Sequence, residues 1–312
     1  EMRLLIVDDI HEVFLEKMQV VGIQADYRPD MGLEEARQVI RHYNGLVIRS
    51  KFRVTRDFMD QAPELRLIAR GGAGLDNIDE AYANEKGITL LNAPEGNRNA
   101  VAEHMTGMLL SLLNKLHSGG QEIRQGEWRR EENRGLELRG RTVGLIGYGN
   151  NGQAMAQCLS GFGVRIMAYD KYRSGFGDEH VLETDMDEIF RQADVLSLHI
   201  PLTVETHQMI NKAFLERFQN PIFFLNGARG EIVEISSVLL GLRSGRILGA
   251  ALDVLPVEHF PTLQQQEWFD EMATHPRVLL SPHVAGWTVE SYFKIANVLA
   301  DKIVECAGAV RP

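Results

Sequence analysis

The sequence predicts an α/β fold made of two doubly wound parallel sheets, and three observations lead to this prediction. Short apolar segments alternate with helical segments over all 312 residues, which is the pattern of strands joined by crossover helices. A long helical segment over 99–116 separates two such series. At the start of the second series, a strand at 142–146 runs directly into three closely spaced glycines and a helical stretch, as in the first βαβ unit of a doubly wound sheet.

The first series contains five apolar segments of strand length. They lie at 3–8, 24–28, 45–50, 65–69 and 88–91. Helices fit between them at 11–21 and 33–42, and the first of these helices carries Val13, Phe14 and Val20 on one side. An apolar face of this kind packs a helix against a sheet. The first third of the chain therefore predicts a small parallel α/β domain.

The second series contains six segments of strand length. They lie at 143–146, 164–169, 195–199, 222–225, 248–252 and 278–280. Six strands with crossover helices suit a doubly wound sheet, in which ligands bind at the carboxyl ends of the strands. A final helix predicted over 288–304 follows the last strand and can return to the first domain, which would make that domain discontinuous.

The glycines that open the second series form the string Gly147-x-Gly149-x-x-Gly152 between a strand and a helix. Gly147 suits the tight turn, Gly149 lets backbone N–H groups approach a pyrophosphate, and Gly152 lets the helix pack against the strand. The N-terminus of that helix stabilises the phosphate charge. Asp170, after the next strand, can accept hydrogen bonds from both ribose hydroxyls, and its charge favours NAD over NADP. We therefore predict a dinucleotide-binding domain.

The charge balance restricts the partners that we expect. A formal net charge of −10 argues against nucleic acid and anionic membranes as partners, so an anionic small-molecule substrate needs a local basic cluster. Cys158 and Cys306 are far apart in helical contexts, as for free thiols in a reducing compartment. The sequence shows no apolar run of membrane-spanning length, no leader-like segment and no metal-ligand spacing. These observations predict a cytoplasmic protein without a membrane partner or a bound metal.

Four ionisable side chains follow successive strands of the second series. Arg229 follows the fourth strand, and Asp253 follows the fifth. Glu258 lies in the loop after Asp253, and His283 follows the sixth strand. Because the carboxyl ends of parallel strands meet at one edge of a sheet, we expect these side chains beside the nicotinamide end of a dinucleotide.

This set of residues suits the oxidation of a 2-hydroxy acid, which removes a hydride from C2 and a proton from the hydroxyl. His283 is the natural acid–base, and Glu258 can orient its imidazole and stabilise the imidazolium. Arg229 can bind the carboxylate and polarise the carbonyl. Asp253 is placed to accept from the nicotinamide amide. Arg229, Glu258 and His283 are therefore the predicted catalytic residues.

The motifs at these strand ends resemble those of the D-isomer specific 2-hydroxyacid dehydrogenases, and the resemblance covers essentially the whole chain. In the second series the motifs are the glycine string 147–152, His199-x-Pro201-Leu202-Thr203, Asn226-x-Ala228-Arg229-Gly230, Leu252-Asp253-Val254, Glu258 and Pro282-His283-x-Ala285-Gly286. In the first series the strings at 70–79 and 92–97 look most like the D-3-phosphoglycerate dehydrogenase branch. The sequence departs from the pattern at Asn151, where an apolar residue is usual, and at His259-Phe260, where a proline usually follows the glutamate.

The resemblance implies a Rossmann NAD-binding domain over 98–286, inserted in a flavodoxin-like substrate domain formed by 1–97 and 287–312. It implies a cleft between the two domains and a homodimer formed through the nucleotide-binding domain. It also implies that NAD is the cofactor, bound by residues at the strand ends. These predicted cofactor-binding residues are Gly147, Gly149, Asn150, Asn151, Gly152, Asp170, Ile200, Pro201, Thr206, Gly227, Ala228, Arg229, Asp253, His283, Ala285 and Gly286.

Two loops of the first domain are candidates for binding the substrate. The glycine-rich loop 71–74 follows a buried strand, where N–H groups can form a nest for a carboxylate, and an ordinary tight turn is the alternative. The segment 49–53 carries three cations and a hydroxyl that suit a phosphate. A solvated basic loop is equally compatible with the charges, and the resemblance favours the phosphate. The predicted substrate-binding residues are Arg49, Ser50, Lys51, Gly72, Ala73, Gly74, Arg229 and His283.

The combined expectation is an NAD-dependent enzyme that oxidises a D-2-hydroxy acid to the 2-oxo acid. The first candidate substrate is 3-phosphoglycerate, whose oxidation to 3-phosphohydroxypyruvate belongs to serine biosynthesis. A glyoxylate or hydroxypyruvate reductase is the alternative within the same chemistry. A non-catalytic, NAD-sensing binding protein on the same fold is the alternative outside it.

Overall fold

The computed structural model describes residues 2–309, and internal contacts divide the chain into two compact units. Unit 1 is formed by Glu1–Arg98 and Trp287–Pro312, and unit 2 is formed by Asn99–Gly286. The chain thus begins unit 1, builds the whole of unit 2 and then returns to unit 1 with its last helix. Each unit contains one parallel β-sheet with an apolar core on both faces.

The regular elements follow the predicted alternation of strands and helices. In chain order, the strands within residues 2–309 are β1 (Arg3–Ile6), β2 (Gln24–Tyr27), β3 (Gly45–Ile48), β4 (Leu67–Arg70), β5 (Thr89–Leu91), β6 (Thr142–Ile146), β7 (Arg165–Tyr169), β8 (Val181–Glu183), β9 (Val195–Leu198), β10 (Ile222–Asn226), β11 (Ile247–Leu252) and β12 (Val278–Leu280). The α-helices are α1 (Val13–Val20), α2 (Leu33–Val39), α3 (Arg56–Asp60), α4 (Glu80–Glu85), α5 (Pro94–Asn114), α6 (Leu116–Arg124), α7 (Asn150–Leu159), α8 (Met186–Gln192), α9 (Lys212–Glu216), α10 (Ile235–Ser244), α11 (Phe269–Thr274) and α12 (Val289–Ala309).

The sheet of unit 1 has the strand order β2-β1-β3-β4-β5, with every pair parallel. This is the flavodoxin-like order. Side chains of β1 alternate between the two faces, as the pleat requires: Leu4 and Ile6 pack with Phe14 of α1 and Leu299 of α12, and Leu5 belongs to the core on the other face. The predicted fold class is confirmed for this unit.

The sheet of unit 2 has the order β12-β11-β10-β9-β6-β7-β8, again all parallel. Counted from β6, this is the Rossmann order with one strand added beyond the sixth, so the predicted fold class is confirmed here too. The prediction of six strands is wrong by one, because it missed β8. That strand has three residues and pairs only with β7 at the edge of the sheet, so it carries almost no alternation for sequence analysis to detect.

Other differences concern where elements begin and end. The predicted helix 33–42 is α2 followed by a separate 3₁₀ turn, Ile40–His42. The predicted helix 99–116 begins earlier, at Pro94, since proline is tolerated in the first helical turn. It ends at Asn114 because Lys115 has a left-handed φ of 53°, and α6 starts after it. None of the helices within residues 2–309 is both long and apolar enough to cross a membrane.

Candidate active site

The glycine loop of unit 2 joins β6 to α7 and leaves room for a phosphate. Gly147 has φ of +92°, and a Cβ there would lie 2.2 Å from the carbonyl oxygen of His199. A Cβ on Gly152 would lie 2.2 Å from the carbonyl oxygen of Gly147. At Gly149, which precedes the first residue of α7, a Cβ would meet nothing within 4 Å. Gly147 and Gly152 are thus required by the turn, and Gly149 borders open space at a helix N-terminus, which fits a dinucleotide pyrophosphate.

The Asp170 carboxylate is held by the backbone around this loop. Its Oδ2 accepts from the amide of Tyr148 at 2.8 Å, and its Oδ1 accepts from the amides of Tyr172 and Arg173 at 2.9 and 3.1 Å. The guanidinium of Arg173 donates to the Tyr148 carbonyl at 2.5 Å. Asp170 therefore fixes the shape of the glycine loop in addition to the ribose contact predicted for it.

Two asparagines begin α7 directly after Gly149. Asn150 and Asn151 are both partly buried, and Asn151 is the residue that departs from the family pattern. Its Oδ1 atom is buried without a hydrogen-bond partner in the described part of the chain. A buried amide oxygen without a hydrogen bond lowers the stability of the folded protein. Asn151 is therefore destabilising at this position.

The segment after β9 borders the glycine loop. The Cγ2 atom of Ile200 lies 3.0 Å from the point that a Cβ on Gly147 would occupy. The hydroxyl of Thr206 donates to the Pro201 carbonyl at 2.8 Å and accepts from the Thr203 amide at 2.8 Å. Thr206 thus stabilises the turn that carries Pro201, so a structural role stands beside the cofactor contact predicted for it.

His199 directly follows β9 and is a neutral, partly buried group. Its Nε2 lies 2.9 Å from the Ser197 hydroxyl, and burial lowers the pKa of the imidazole to about 4. A histidine with so low a pKa is uncharged near neutral pH and is poorly suited to act as the acid–base. Its position agrees with a structural role at this strand end.

The turn after β10 presents Arg229 and is braced by the buried Asn226. The Asn226 Oδ1 accepts from the Ala228 amide at 3.0 Å, and its Nδ2 donates to the Arg229 carbonyl at 2.9 Å. The guanidinium of Arg229 donates to the Ala228 carbonyl at 2.7 Å. A Cβ on Gly227 would meet the Met105 sulfur at 2.7 Å, so a side chain here would have to displace Met105.

His283 and Glu258 form the pair that the resemblance implies. The Nδ1 of His283 lies 2.7 Å from the Glu258 Oε2, and both side chains are half-exposed. The hydrogen bond to Glu258 raises the pKa of His283, against the opposing effects of burial and of the Arg229 charge. With Nδ1 engaged, Nε2 is the nitrogen left to exchange a proton with a substrate. The His259-Phe260 departure from the family pattern has therefore not displaced the Glu258 carboxylate from the histidine.

Asp253 organises the loop that carries His283. Its carbonyl accepts from the His283 amide at 2.8 Å. Its buried carboxylate accepts from the amides of Val284 and Ala285, both at 3.0 Å. His283 itself has a left-handed φ of 53°, a costly conformation for a residue with a side chain. The bonds from Asp253 hold the loop in this conformation.

Sequence reasoning missed two residues that contact this centre. The Ser281 hydroxyl donates to the Asp253 Oδ1 at 2.6 Å, and His104 Nε2 lies 2.8 Å from the same hydroxyl. From the sequence alone, His104 is interpreted as a packing or surface residue of the long helix. Its distance along the chain from Ser281 leaves no motif spacing that would reveal the contact. No group of three or more His, Cys, Asp or Glu side chains in residues 2–309 could hold a metal ion.

In unit 1, the glycine-rich loop after β4 has its carbonyls engaged and two amides available. The Gly72 carbonyl accepts from the Ala93 amide at 2.8 Å, and the Ala73 carbonyl accepts from the Asn92 side chain at 2.6 Å. No hydrogen bond within residues 2–309 uses the amides of Ala73 and Gly74. Free neighbouring amides are what an anion nest requires.

The basic segment after β3 holds its two cations differently. The Arg49 amide donates to the Asp8 Oδ2 at 2.7 Å, and its carbonyl accepts from Asn77 Nδ2 at 3.0 Å. Its guanidinium lies over the ring of Trp287, 4.0 Å from the centroid. Lys51 is exposed, and its ammonium donates to the Pro29 carbonyl. Arg49 is therefore oriented by an aromatic ring, whereas the Lys51 ammonium is engaged by a backbone carbonyl and Ser50 between them is exposed.

The comparison with known families identifies the protein class. The sequence profile of the D-isomer specific 2-hydroxyacid dehydrogenase NAD-binding domain matches residues 106–285, more than half of the chain. The chain belongs to this family. The match also identifies NAD as the cofactor of unit 2, in agreement with the glycine loop and with Asp170.

Relatives with different substrates share the similarity. A hydroxypyruvate reductase from Thermotoga maritima is 34% identical over 275 residues, covering 88% of this chain and 88% of that enzyme. A D-3-phosphoglycerate dehydrogenase from Archaeoglobus fulgidus is 30% identical over 312 residues, covering 98% of this chain but 57% of that enzyme. A solved structure from Thermus thermophilus has a TM-score of 0.82 at 27% identity, covering 100% of this chain and 98% of that one. The chain thus spans little more than half the length of its phosphoglycerate dehydrogenase relative.

Proposed function

We propose that this protein interconverts a D-2-hydroxy acid and its 2-oxo acid with NAD, using His283 as the acid–base. The observation that carries the proposal is the 2.7 Å contact between His283 Nδ1 and Glu258 Oε2 in the unit that binds NAD. The contact leaves Nε2 for the substrate and makes the histidine a better proton acceptor than an unpaired imidazole.

In the oxidative direction, the substrate hydroxyl gives its proton to Nε2 of His283 while the C2–H bond breaks. Bound NAD supplies the acceptor for the hydride that leaves C2. Glu258 stabilises the imidazolium as it forms. Arg229 attracts the substrate carboxylate and the growing negative charge on the carbonyl oxygen in the reductive direction. The proton leaves His283 to solvent after the 2-oxo acid departs.

For the substrate, we propose 3-phosphoglycerate, converted to 3-phosphohydroxypyruvate for serine biosynthesis. The free amides of Ala73 and Gly74 support binding of the carboxylate by unit 1. The oriented guanidinium of Arg49 supports binding of the phosphate. Trp287 occupies one π face and Nη1 donates to the Asp9 carbonyl at 3.4 Å, so the other in-plane N–H groups of the guanidinium can donate to an anion. In a chain of net charge −10, such a held cation offsets the repulsion of a phosphorylated acid.

The second candidate function is reduction of hydroxypyruvate or glyoxylate. The Thermotoga maritima relative favours it, since it is the more similar of the two enzymes and matches over most of both chains. These substrates lack a phosphate, so their binding does not require the Arg49 guanidinium. A third candidate is an NAD-binding protein without catalysis. That function does not require the exposed pair of His283 and Glu258.

A substrate panel separates the three candidates. We would measure NADH formation from 3-phosphoglycerate, D-glycerate, glycolate and D-lactate, and NADH consumption with 3-phosphohydroxypyruvate, hydroxypyruvate and glyoxylate. The proposal expects the highest kcat/KM for the phosphorylated pair in both directions. Higher values for hydroxypyruvate or glyoxylate would establish the reductase. Tight NADH binding without turnover of any acid would establish the binding protein.

We also propose that two copies associate through unit 2 and that the protein works in the cytoplasm. Apolar side chains of α6 and the following loop are exposed, including Ile123 and, at 80%, Trp128. Exposed apolar groups concentrated in one segment are typical of an interface. The two free cysteines, Cys158 and Cys306, suit a reducing compartment. Light scattering would test the dimer, for which Trp128→Glu should give the mass of one chain.

A further inference from the structure

A line of hydrogen bonds in unit 2 connects the middle of α5 to Asp253. His104, on α5, places its Nε2 2.8 Å from the Ser281 hydroxyl and 3.6 Å from the Asp253 Oδ1. The Ser281 hydroxyl lies 2.6 Å from the same Oδ1. Three residues far apart in the chain therefore meet where β11 and β12 end.

The chemistry of the three groups fixes the direction of these bonds. A carboxylate accepts and has no hydrogen to give, so Ser281 donates its single hydroxyl hydrogen to Asp253. Toward His104 the hydroxyl then offers only lone pairs, so His104 Nε2 must carry a hydrogen. His104 thus sets the orientation of the Ser281 hydroxyl and, through it, the position of the Asp253 carboxylate.

The carboxylate of Asp253 is shared unequally between its two oxygens. Oδ1 accepts from Ser281 and from the Val284 amide, whereas Oδ2 accepts from the Ala285 amide. A carboxylate oxygen has two lone pairs in its plane. Within these contacts, Oδ2 retains acceptor capacity, and it is the atom that can receive a further N–H group.

We propose that His104 is a positioning residue for the nicotinamide end of the cofactor, acting through Ser281 to keep the Oδ2 of Asp253 available for the carboxamide N–H. The inference rests on the proposed role of Asp253 in binding that amide. The pyrophosphate and adenosine half of NAD would bind other residues, those of the glycine loop and Asp170. Loss of His104 should therefore weaken contacts of the nicotinamide half alone.

Binding of two ligands tests this separation by titration calorimetry: NADH, and ADP-ribose, which lacks the nicotinamide. We expect His104→Leu to raise the Kd for NADH about tenfold, the effect of one hydrogen bond, and to leave the Kd for ADP-ribose unchanged. His104→Gln, which retains an N–H donor, should recover part of the affinity. His117→Leu, at an exposed histidine of α6, is the matched control and should change neither constant.

Ser281 provides the second arm of the test. Ser281→Ala should weaken NADH binding like His104→Leu, and the double variant should be no weaker than either single one, because both interrupt the same line. Ser281→Thr keeps the hydroxyl and should bind NADH normally. Independent, additive losses would overturn the route through Ser281. Equal losses for NADH and ADP-ribose, or no loss for either, would overturn the positioning role of His104.

Asp253→Asn separates failure of this inference from failure of the assignment on which it rests. If that variant binds NADH as the wild type does, Asp253 does not hold the carboxamide, and the inference falls with it. If Asp253→Asn loses affinity for NADH while His104→Leu does not, only the inference about His104 is wrong. Catalytic turnover of hydroxy acids is measured separately and decides neither outcome.

Discussion

Trp287 covers the guanidinium of Arg49, whose central carbon lies 4.0 Å from the centroid of the Trp287 ring. The two residues are distant in sequence but both belong to unit 1. Arg49 is also held through its amide by Asp8 and through its carbonyl by Arg70 and Asn77. These bonds fix the backbone of Arg49, and the Trp287 ring orients its guanidinium, so the side chain loses less entropy when it binds an anion. This separates Arg49 from the other cations of its loop.

We predict that Arg49→Ala raises the KM for 3-phosphoglycerate ten- to a hundredfold, with a much smaller change for D-glycerate. Loss of a charge-assisted hydrogen bond to phosphate costs about 1.5–3 kcal/mol, which appears in KM if the contact is equal in ground and transition states. Trp287→Leu should give part of this effect, because the guanidinium remains but is no longer held. Steady-state kinetics with both substrates measure the ratio.

Two neighbours of Arg49 complete this experiment. Lys51→Ala should change the KM for 3-phosphoglycerate less than Arg49→Ala does, because the Lys51 ammonium is tied to the Pro29 carbonyl. Arg53→Ala removes an exposed cation of the same loop and serves as the control for general charge. If all three variants affect both substrates equally, segment 49–53 is a solvated basic edge and the phosphate proposal loses its main support.

His283→Ala should leave NADH binding nearly intact and lower turnover by roughly 10²–10⁴, the usual contribution of a positioned acid–base. The imidazole is half-exposed, so its removal leaves no large cavity, and the loop retains the backbone bonds to Asp253. Single-turnover kinetics and NADH titration separate the two effects. Retention of full turnover by this variant would remove the proposed mechanism.

Glu258→Gln should shift the pH dependence of catalysis toward acid. The Glu258 carboxylate raises the pKa of His283, and oxidation needs the neutral imidazole, so kcat/KM for oxidation should rise through that pKa. Without the carboxylate the pKa falls, and the rise should occur at a lower pH. In the reductive direction, which needs the imidazolium, kcat/KM should begin to fall at a lower pH.

Profiles of kcat/KM between pH 5 and 9 in both directions measure this shift. Glu267→Gln makes the same change at an exposed residue of the neighbouring segment and should leave the profile where it is. If kcat/KM of Glu258→Gln rises and falls at the same pH values as that of the wild type, a group other than His283 controls the pH dependence.

Asp170 should select NAD over NADP, and its replacement should affect more than this selectivity. Its carboxylate repels a 2′-phosphate, but it also accepts three backbone hydrogen bonds around the glycine loop. Asp170→Asn removes the charge and one acceptor, so we expect weaker NADH binding together with a smaller preference over NADPH. Fluorescence titration with both nucleotides tests this, and equal affinities of the wild type for NADH and NADPH would contradict it.

The strand ends of unit 2 were predictable from sequence because parallel topology brings them to one edge of the sheet. The residues predicted there include Arg229, Asp253 and His283, which follow the ends of β10, β11 and β12. The His283 amide donates to the Asp253 carbonyl at 2.8 Å. The motifs report such placement because each residue has a fixed position after its strand. The fold class followed from the same alternation of strands and helices.

Contacts between residues without a common motif were beyond sequence reasoning. The bond between His104 and Ser281, the stacking of Trp287 on Arg49 and the three amides on Asp170 depend on how elements pack, and no periodic pattern encodes them. The short edge strand β8 was missed for a related reason, since three residues show no alternation. The sequence therefore predicts which residues reach the sheet edge better than it predicts what holds them there.

The partly buried His199 should make the protein sensitive to acid. Burial lowers its pKa to about 4, whereas an unfolded histidine titrates near 6.5. Between about pH 6.5 and pH 4, His199 binds a proton in the unfolded chain but not in the folded protein. The free energy of unfolding therefore falls by up to roughly 1.4 kcal/mol for each unit by which the pH is lowered. In the His199→Gln variant, this titratable group is absent, but the glutamine side chain can still form a hydrogen bond with Ser197.

We therefore predict that the variant is less stable than the wild type at pH 7, because its packing is poorer, and that the difference shrinks by roughly 2 kcal/mol between pH 7 and pH 5. Urea unfolding followed by circular dichroism at both pH values measures the change. His180→Gln, at an exposed histidine of unit 2, should show no such convergence. If the difference in the free energy of unfolding between His199→Gln and the wild type is the same at pH 7 and pH 5, His199 binds its proton in the folded protein as well. Another group then limits stability in acid.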